Sequence, residues 1–122
     1  MFQSVHSVMF HVSDIEKACR WYSGLLSIEP VYLLEDFPVL RIGNTEICFH
    51  QADAKVSTGR SGVVTYWRVA DFNQAITRAE EMGGLVHRGP LEIEHGDSIC
   101  QIADPFGNLF GLVGPETVKH SP

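Results

Sequence analysis

An internal repeat constrains this chain more than any other feature of its sequence. Residues 67–72 (WRVADF) follow the pattern of residues 10–15 (FHVSDI), and each copy runs on into a helical pattern that carries an alanine, Ala18 or Ala75. A unit of this size is too small to bury its own hydrophobic face and must bury it against its partner. The repeat therefore predicts two copies of one unit, with paired sheets that enclose a cleft.

The composition predicts a single globular domain that spans residues 1–122. With 122 residues and 44% hydrophobic content, the chain can form one core shared by both units but not two independent cores. The net charge is -6, and no run of Lys or Arg interrupts this acidity. We therefore expect neither nucleic acid nor an anionic membrane surface as a partner.

Cysteine usage and the N-terminus predict a cytoplasmic protein. The three cysteines are widely spaced and form no C-x-x-C motif, so we expect neither a disulfide framework nor a structural zinc knuckle. The sequence lacks the pattern of a signal peptide, and no apolar stretch approaches membrane-spanning length. It also contains no dinucleotide, phosphate-loop, zinc-protease or esterase motif.

The first unit, about residues 5–50, is predicted to have the element order βαβββ. Alternating apolar residues predict a strand over residues 7–12. Ser13 and Asp14 offer N-cap oxygens to a helix over residues 14–26, where apolar residues recur every three or four positions. Three short strands are predicted after this helix, over residues 31–34, 39–42 and 46–50, with a turn at Gly43-Asn44.

The second unit, about residues 63–114, repeats this order after a polar, glycine-rich linker over residues 51–62. A strand over residues 63–69 precedes a helix over residues 72–82, which stops at Gly83-Gly84. The remaining predicted elements are strands over residues 85–87, 91–94, 98–103 and 109–113, and a C-terminal tail over residues 115–122. Residues 104–108 form the last hairpin turn.

Two motifs carry a resemblance to a known family. Residues 12–15 (VSDI), followed by residues 21–26 (WYSGLL), are similar to a strand–aspartate–helix opening that ends in an aromatic pair. Residues 104–108 (DPFGN) are similar to a terminal Asp-Pro-x-Gly-Asn hairpin. With these motifs the chain resembles the vicinal oxygen chelate superfamily, the group of glyoxalase I, bleomycin-resistance proteins and extradiol dioxygenases. The match spans roughly residues 7–113.

The resemblance implies a glyoxalase-like α+β fold and a place for a ligand. Two paired βαβββ modules would have curved mixed sheets that enclose one cleft, and members of the superfamily often pack a second chain against the first. We therefore expect a homodimer. The apolar face of each strand must cover a helix, so the opposite face would line the cleft. The expected ligand-binding residues are Met9, His11, Glu46, Cys48, His50, Tyr66 and Arg68.

Tyr66 and Arg68 have two interpretations. Arg68 could bind a ligand carboxylate or enolate oxygen, with Tyr66 donating a hydrogen bond beside it. Alternatively, Arg68 could form an ion pair with Glu46 or Glu94 while Tyr66 packs under a loop. Cys48 likewise could be a nucleophile or a small buried thiol, and buried thiols are commoner.

The resemblance also assigns four metal-ligand positions, which fall on Ser7, Cys48, Val64 and Gly111. None of these is His, Gln, Asp or Glu, so we expect neither the inherited metal site nor its Lewis-acid step. A relocated site for one divalent metal ion stays open. It would use a set of two imidazoles and one carboxylate, namely His11, His50 and Glu46.

The leading functional prediction is a protein that binds a small organic molecule without a cofactor, similar to the bleomycin-resistance branch. The alternative is an enzyme of the superfamily, a lyase, isomerase or dioxygenase. Such an enzyme would use the relocated metal, or metal-free acid–base chemistry by His11 and Tyr66. The residues leave open which of the two applies.

Overall fold

The computed structural model describes residues 1–60 and 62–116. Contacts divide the chain into two compact units, Met1–Thr58 and Gly59–Pro122, a division that falls within the predicted linker. Most of the predicted tail, residues 117–122, lies outside the described residues. The expectation that both units form one domain stays a prediction.

The first unit is a four-stranded mixed sheet covered by one helix. Its elements are β1 (Ser7–Val12), α1 (Ile15–Leu26), β2 (Val31–Leu34), β3 (Phe37–Ile42) and β4 (Thr45–Gln51). The strand order is β1-β4-β3-β2, with β1 parallel to β4 and the other pairs antiparallel.

Helix α1 begins and packs as its sequence pattern predicts. The Asp14 side chain accepts a hydrogen bond from the Lys17 backbone N–H at 3.1 Å, which satisfies one of the unpaired donors of the first turn. On the buried face of the helix, the Tyr22 ring stacks on Phe10 of β1 at 4.8 Å and contacts Phe49 of β4 at 5.7 Å, centroid to centroid. This aromatic cluster lies in the core of the first unit, and the alternate residues of β1 and β4 point to the other face of the sheet.

The second unit repeats the architecture. Its elements are β5 (Tyr66–Arg68), α2 (Phe72–Glu81), β6 (Leu85–Glu92), a 3-10 turn (Glu94–Gly96), β7 (Asp97–Ala103) and β8 (Leu109–Pro115). The strand order is β5-β8-β7-β6, with β5 parallel to β8. Asp71 caps α2 as Asp14 caps α1, by accepting from the Gln74 backbone N–H at 3.1 Å. The predicted α+β fold of two βαβββ modules is confirmed.

Two strand predictions in the second unit are wrong. The strand predicted over residues 63–69 is regular only from Tyr66 to Arg68, flanked by backbone hydrogen bonds at Thr65 and Val69, and Val63 before it is 85% exposed. The strands predicted over residues 85–87 and 91–94 are one strand, β6, although its last predicted residue, Glu94, belongs to the 3-10 turn. The residues between them resemble a turn because Gly89 and Pro90 interrupt the apolar pattern. The sheet accommodates them by shifts of register around Arg88 instead.

No helix within the described residues is long and apolar enough to cross a membrane.

Candidate functional site

The open face of the second sheet, the face opposite α2, carries a row of three residues in register. Tyr66 on β5 lies beside Gly111 on β8, and Gly111 lies beside Gln101 on β7. Side chains on one strand alternate between faces, so Tyr66 and Gln101 project from the same face across the glycine. The Gln101 Nε2 donates a hydrogen bond to the Tyr66 hydroxyl oxygen at 3.0 Å.

Gly111 leaves the space that the Tyr66 ring occupies. A Cβ atom added to Gly111 would lie 2.5 Å from Cε2 of that ring, closer than any real contact allows. Only glycine therefore permits the phenol to lie against the backbone of β8. One face of the ring covers the strand, and the side chain as a whole keeps 41% of its surface exposed.

A pocket of about 420 Å³ opens beside this ring. We call it the Tyr66 pocket, and its lining residues are Tyr66, Arg88, Gly89, Pro90, Leu91, Ile99, Cys100 and Gln101. The volume lies within the range of about 300–1,000 Å³ that is typical of small-molecule sites. Its walls combine an aromatic ring and aliphatic side chains with an amide, a phenol hydroxyl and one guanidinium group.

Arg68, which sequence analysis placed in the site, is held by an acid. Its Nη2 lies 3.0 Å from a carboxylate oxygen of Asp97 at the start of β7, so the partner is neither Glu46 nor Glu94. The hydrogen bond from Arg68 to this carboxylate, and then the opposite charge of Asp97, raise the pKa of Arg68. Arg68 therefore forms an ion pair, as one of its two interpretations expected, but its partner is Asp97.

The open face of the first sheet brings two histidines together. His11 on β1 lies beside His50 on β4, and their ring centroids are 5.5 Å apart. Asp53 follows β4, and its pKa is lowered first by hydrogen bonds from the Val56 and Lys55 backbone N–H groups and then by the nearby histidines. Met9, the other predicted residue on β1, is 42% exposed.

The cysteines are buried thiols. Burial raises the pKa of Cys48, and its Sγ lies 3.8 Å from the backbone oxygen of Val8. Burial also raises the pKa of Cys19, and it raises the pKa of Cys100 to about 11. A nucleophilic cysteine needs a lowered pKa, so the buried-thiol interpretation of Cys48 is the one that its surroundings support.

The four inherited metal positions do not fit a metal ion. Gly111 has no side chain, and the Tyr66 ring covers the place where a ligand on β8 would project. Cys48 offers a single soft thiol, whose pKa burial raises, where such a site takes oxygen or imidazole ligands. The Ser7 hydroxyl is a weak metal ligand, and the Val64 side chain has no atom that could bind a metal.

The relocated metal set is not brought together either. His11 and His50 are neighbours, but Glu46 lies beside Ser7, four residues and about 13 Å back along the strand. Its carboxylate is 3.0 Å from Nε of Arg41. Among the residues that the structure describes, no group of three or more His, Cys, Asp or Glu side chains could hold a metal ion.

Of the eight residues that line the Tyr66 pocket, the sequence predicted only Tyr66, and Arg88, Leu91 and Gln101 are among the seven that it did not predict. The signal for Gln101 was available, because Gln101 and Ile99 lie two residues apart on a predicted strand and therefore share a face. The signal for Arg88 and Leu91 was not, because their positions depend on shifts of register within β6.

Comparison with known proteins places this geometry in a family. The family model of the Glyoxalase/Bleomycin resistance protein/Dioxygenase superfamily matches residues 4–112. A member of that superfamily from Sphaerobacter thermophilus DSM 20745 is similar in structure with a TM-score of 0.73 and 26% identity, over 93% of this chain and 98% of that chain. No curated protein sequence matches the chain.

Two more distant structures share the fold. TnmS3, an antibiotic binding protein from Streptomyces sp. CB03234, has a TM-score of 0.74 at 22% identity, over 94% of this chain and 98% of that chain. A glyoxalase-related enzyme from Fulvimarina pelagi has a TM-score of 0.74 at 17% identity, over 93% of this chain and 88% of that chain. The chain belongs to the Glyoxalase/Bleomycin resistance protein/Dioxygenase superfamily.

Proposed function

We propose that the protein binds a small, flat organic molecule in the Tyr66 pocket, without the metal of its superfamily. The observation that carries this proposal is the Tyr66 ring, which lies against Gly111 and is fixed by the hydrogen bond from Gln101. An aromatic ring whose position is fixed in advance loses little entropy on binding, and it favours an aromatic or planar partner.

The chemistry of the surrounding residues supports binding rather than metal-assisted catalysis. The inherited metal positions carry no suitable donor set, and burial raises the pKa of the Cys48 and Cys100 thiols. One similar structure is that of TnmS3, an antibiotic binding protein, so this fold accommodates binding as a function. At 22% identity its ligand is no guide to the ligand here.

The residues predicted on the first sheet stay part of the proposal, as a second candidate surface for binding the ligand. His11 and His50 lie together there, beside Met9, while Cys48 is buried and Glu46 is paired with Arg41. The homodimer also stays a prediction.

An enzyme remains the second candidate function, and the paired histidines favour it. The ring centroids of these two imidazoles are 5.5 Å apart, so the pair could transfer a proton from a ligand to solvent. Such general acid–base chemistry needs no metal. This candidate would be supported over simple binding if the wild type turns over a substrate and both His11→Ala and His50→Ala abolish that turnover.

The binding proposal is tested with benzamide as a neutral, flat, soluble probe. We expect saturable changes in the amide correlation spectrum, followed by NMR, at residues that line the Tyr66 pocket. Leu91→Trp should fill the pocket and remove these changes. Leu85→Trp is the matched control, because Leu85 is a similarly exposed leucine of the same strand that does not line the pocket.

Two results would contradict the proposal. One is benzamide binding of equal strength in the wild type and in Leu91→Trp. The other is an unchanged wild-type spectrum up to the solubility limit of the probe.

A further inference from the structure

The Tyr66 pocket carries a positive charge in an acidic protein. The chain has a net charge of -6, yet Arg88 lines the pocket and no Asp or Glu is among the described residues that line it. A negative ligand group would therefore meet an attractive charge here without a neighbouring carboxylate in the wall. In a pocket with partly apolar walls, this attraction is screened less than on an open surface.

Arg88 differs from the other arginines on the two open faces. Arg41 and Arg68 each lie 3.0 Å from a carboxylate, of Glu46 and Asp97 respectively. Within the described part of the chain, the side chain of Arg88 has neither an ion-pair partner nor a hydrogen-bond partner. Its guanidinium group keeps its full set of donors for a ligand.

The backbone around Arg88 is shaped to place it at the pocket. The register between β6 and β7 shifts on both sides of this residue. The next residue, Gly89, has φ +86, and a Cβ atom there would lie 2.9 Å from the backbone oxygen of Ile99. Irregularities of this kind turn a side chain away from the direction that regular alternation would give it, and they are common beside binding sites.

A second donor lies in the same pocket. The Tyr66 hydroxyl oxygen accepts the hydrogen bond from Gln101, so its own hydrogen is left to donate. An anionic oxygen only accepts hydrogen bonds, and both this hydroxyl and the Arg88 guanidinium can donate to it. The apolar side chains of Leu91 and Ile99 would contact the remainder of the ligand.

We propose that the ligand is an organic anion, with a carboxylate or a similar acidic oxygen group on a flat apolar body. Arg88 binds the acidic group, and the Tyr66 hydroxyl donates to it. This inference rests on the proposed function, because it names the ligand class of the same pocket.

Three probes of the same shape and different charge test it: benzoate, benzamide and benzamidine. NMR titration of the wild type should give the tightest binding for benzoate and the weakest for benzamidine. Because hydrogen bonds to charged groups are stronger than neutral ones, we expect benzoate to bind about tenfold more tightly than benzamide. Arg88→Gln should remove this preference, so that benzoate no longer binds more tightly than benzamide.

Two further variants control for charge. Arg78→Gln removes the same charge from α2, outside the Tyr66 pocket, and should keep the preference for benzoate. A preference that survives Arg88→Gln, or that is lost in Arg68→Gln instead, would overturn the assignment of Arg88. If Leu91→Trp weakens benzamide binding but the wild type binds benzoate no more tightly than benzamide, the proposed ligand class is overturned and the proposed function is not. Failure of all three probes to bind would overturn the proposed function as well.

Discussion

At the scale of single residues, Gly111 and Tyr66 decide what this site can do. The resemblance to metal-dependent relatives assigns a ligand to position 111, but glycine stands there and an aromatic ring lies over it. A flat apolar surface thus takes the place of a metal ligand. Binding by shape and stacking is the chemistry that such a surface supplies.

Gly111→Ala tests this pair. The added Cβ would clash with the Tyr66 ring, so the ring must move and lose its hydrogen bond to Gln101. We expect benzamide to bind several-fold more weakly and the free energy of unfolding to fall by about 1–3 kcal/mol. Gly59→Ala is the control, because nothing lies within 4 Å of a Cβ atom added there. Equal effects of the two substitutions on benzamide binding would count against the role of the ring.

Cys100 predicts a pH dependence of stability. Its pKa is raised from 9.0 to about 11 by burial, so the unfolded chain loses this proton at a lower pH than the folded protein does. The stabilisation is complete below pH 9 and is lost as the pH rises towards 11. The difference in free energy of unfolding between the wild type and Cys100→Ala should therefore shrink by about 1 kcal/mol between pH 8 and pH 10. Urea titrations at both values measure it, and a constant difference would show that the thiol titrates normally.

At the scale of elements, the irregularity in β6 is the feature that positions the site. Gly89 combines φ +86 with a close approach to the Ile99 backbone oxygen. Gly89→Ala should lower the free energy of unfolding by about 2 kcal/mol or more.

Gly96→Ala separates the two causes. Gly96 has φ +78 but nothing within 4 Å of its added Cβ, so this variant reports the cost of backbone conformation alone, about 1 kcal/mol. Urea unfolding of both variants gives the comparison. A cost for Gly89→Ala that does not exceed the cost for Gly96→Ala would show that β6 can move away from β7 without penalty.

The elements also show where sequence reasoning holds. Both helices could be predicted because Asp14 and Asp71 are local signals that act within one turn of where they stand. The limits of β5 and the continuity of β6 could not, because pairing with a neighbouring strand decides them. The same limit applies to the site. The position of Tyr66 on the open face could be predicted from the alternation of side chains along its strand. The position of Arg88 could not, because it depends on a register shift that no local pattern reveals.

At the scale of the whole molecule, one architecture is used twice with different contents. In the first unit, Met9 lies beside Cys48 at the positions that Tyr66 and Gly111 occupy in the second. Cys48 is buried, whereas the glycine admits an aromatic ring. Repetition therefore explains the fold, and divergence at a few open-face positions explains why the Tyr66 pocket lies in the second unit.

For the molecule as a whole, we propose that a flat organic molecule binds against the Tyr66 ring. Intermolecular nuclear Overhauser effects between benzamide and the protein test it most directly, because they report which side chains lie next to the probe. We expect effects to the ring protons of Tyr66 and the methyl groups of Leu91. Effects confined to Met9, His11 and His50, or to no residue of either open face, would contradict it.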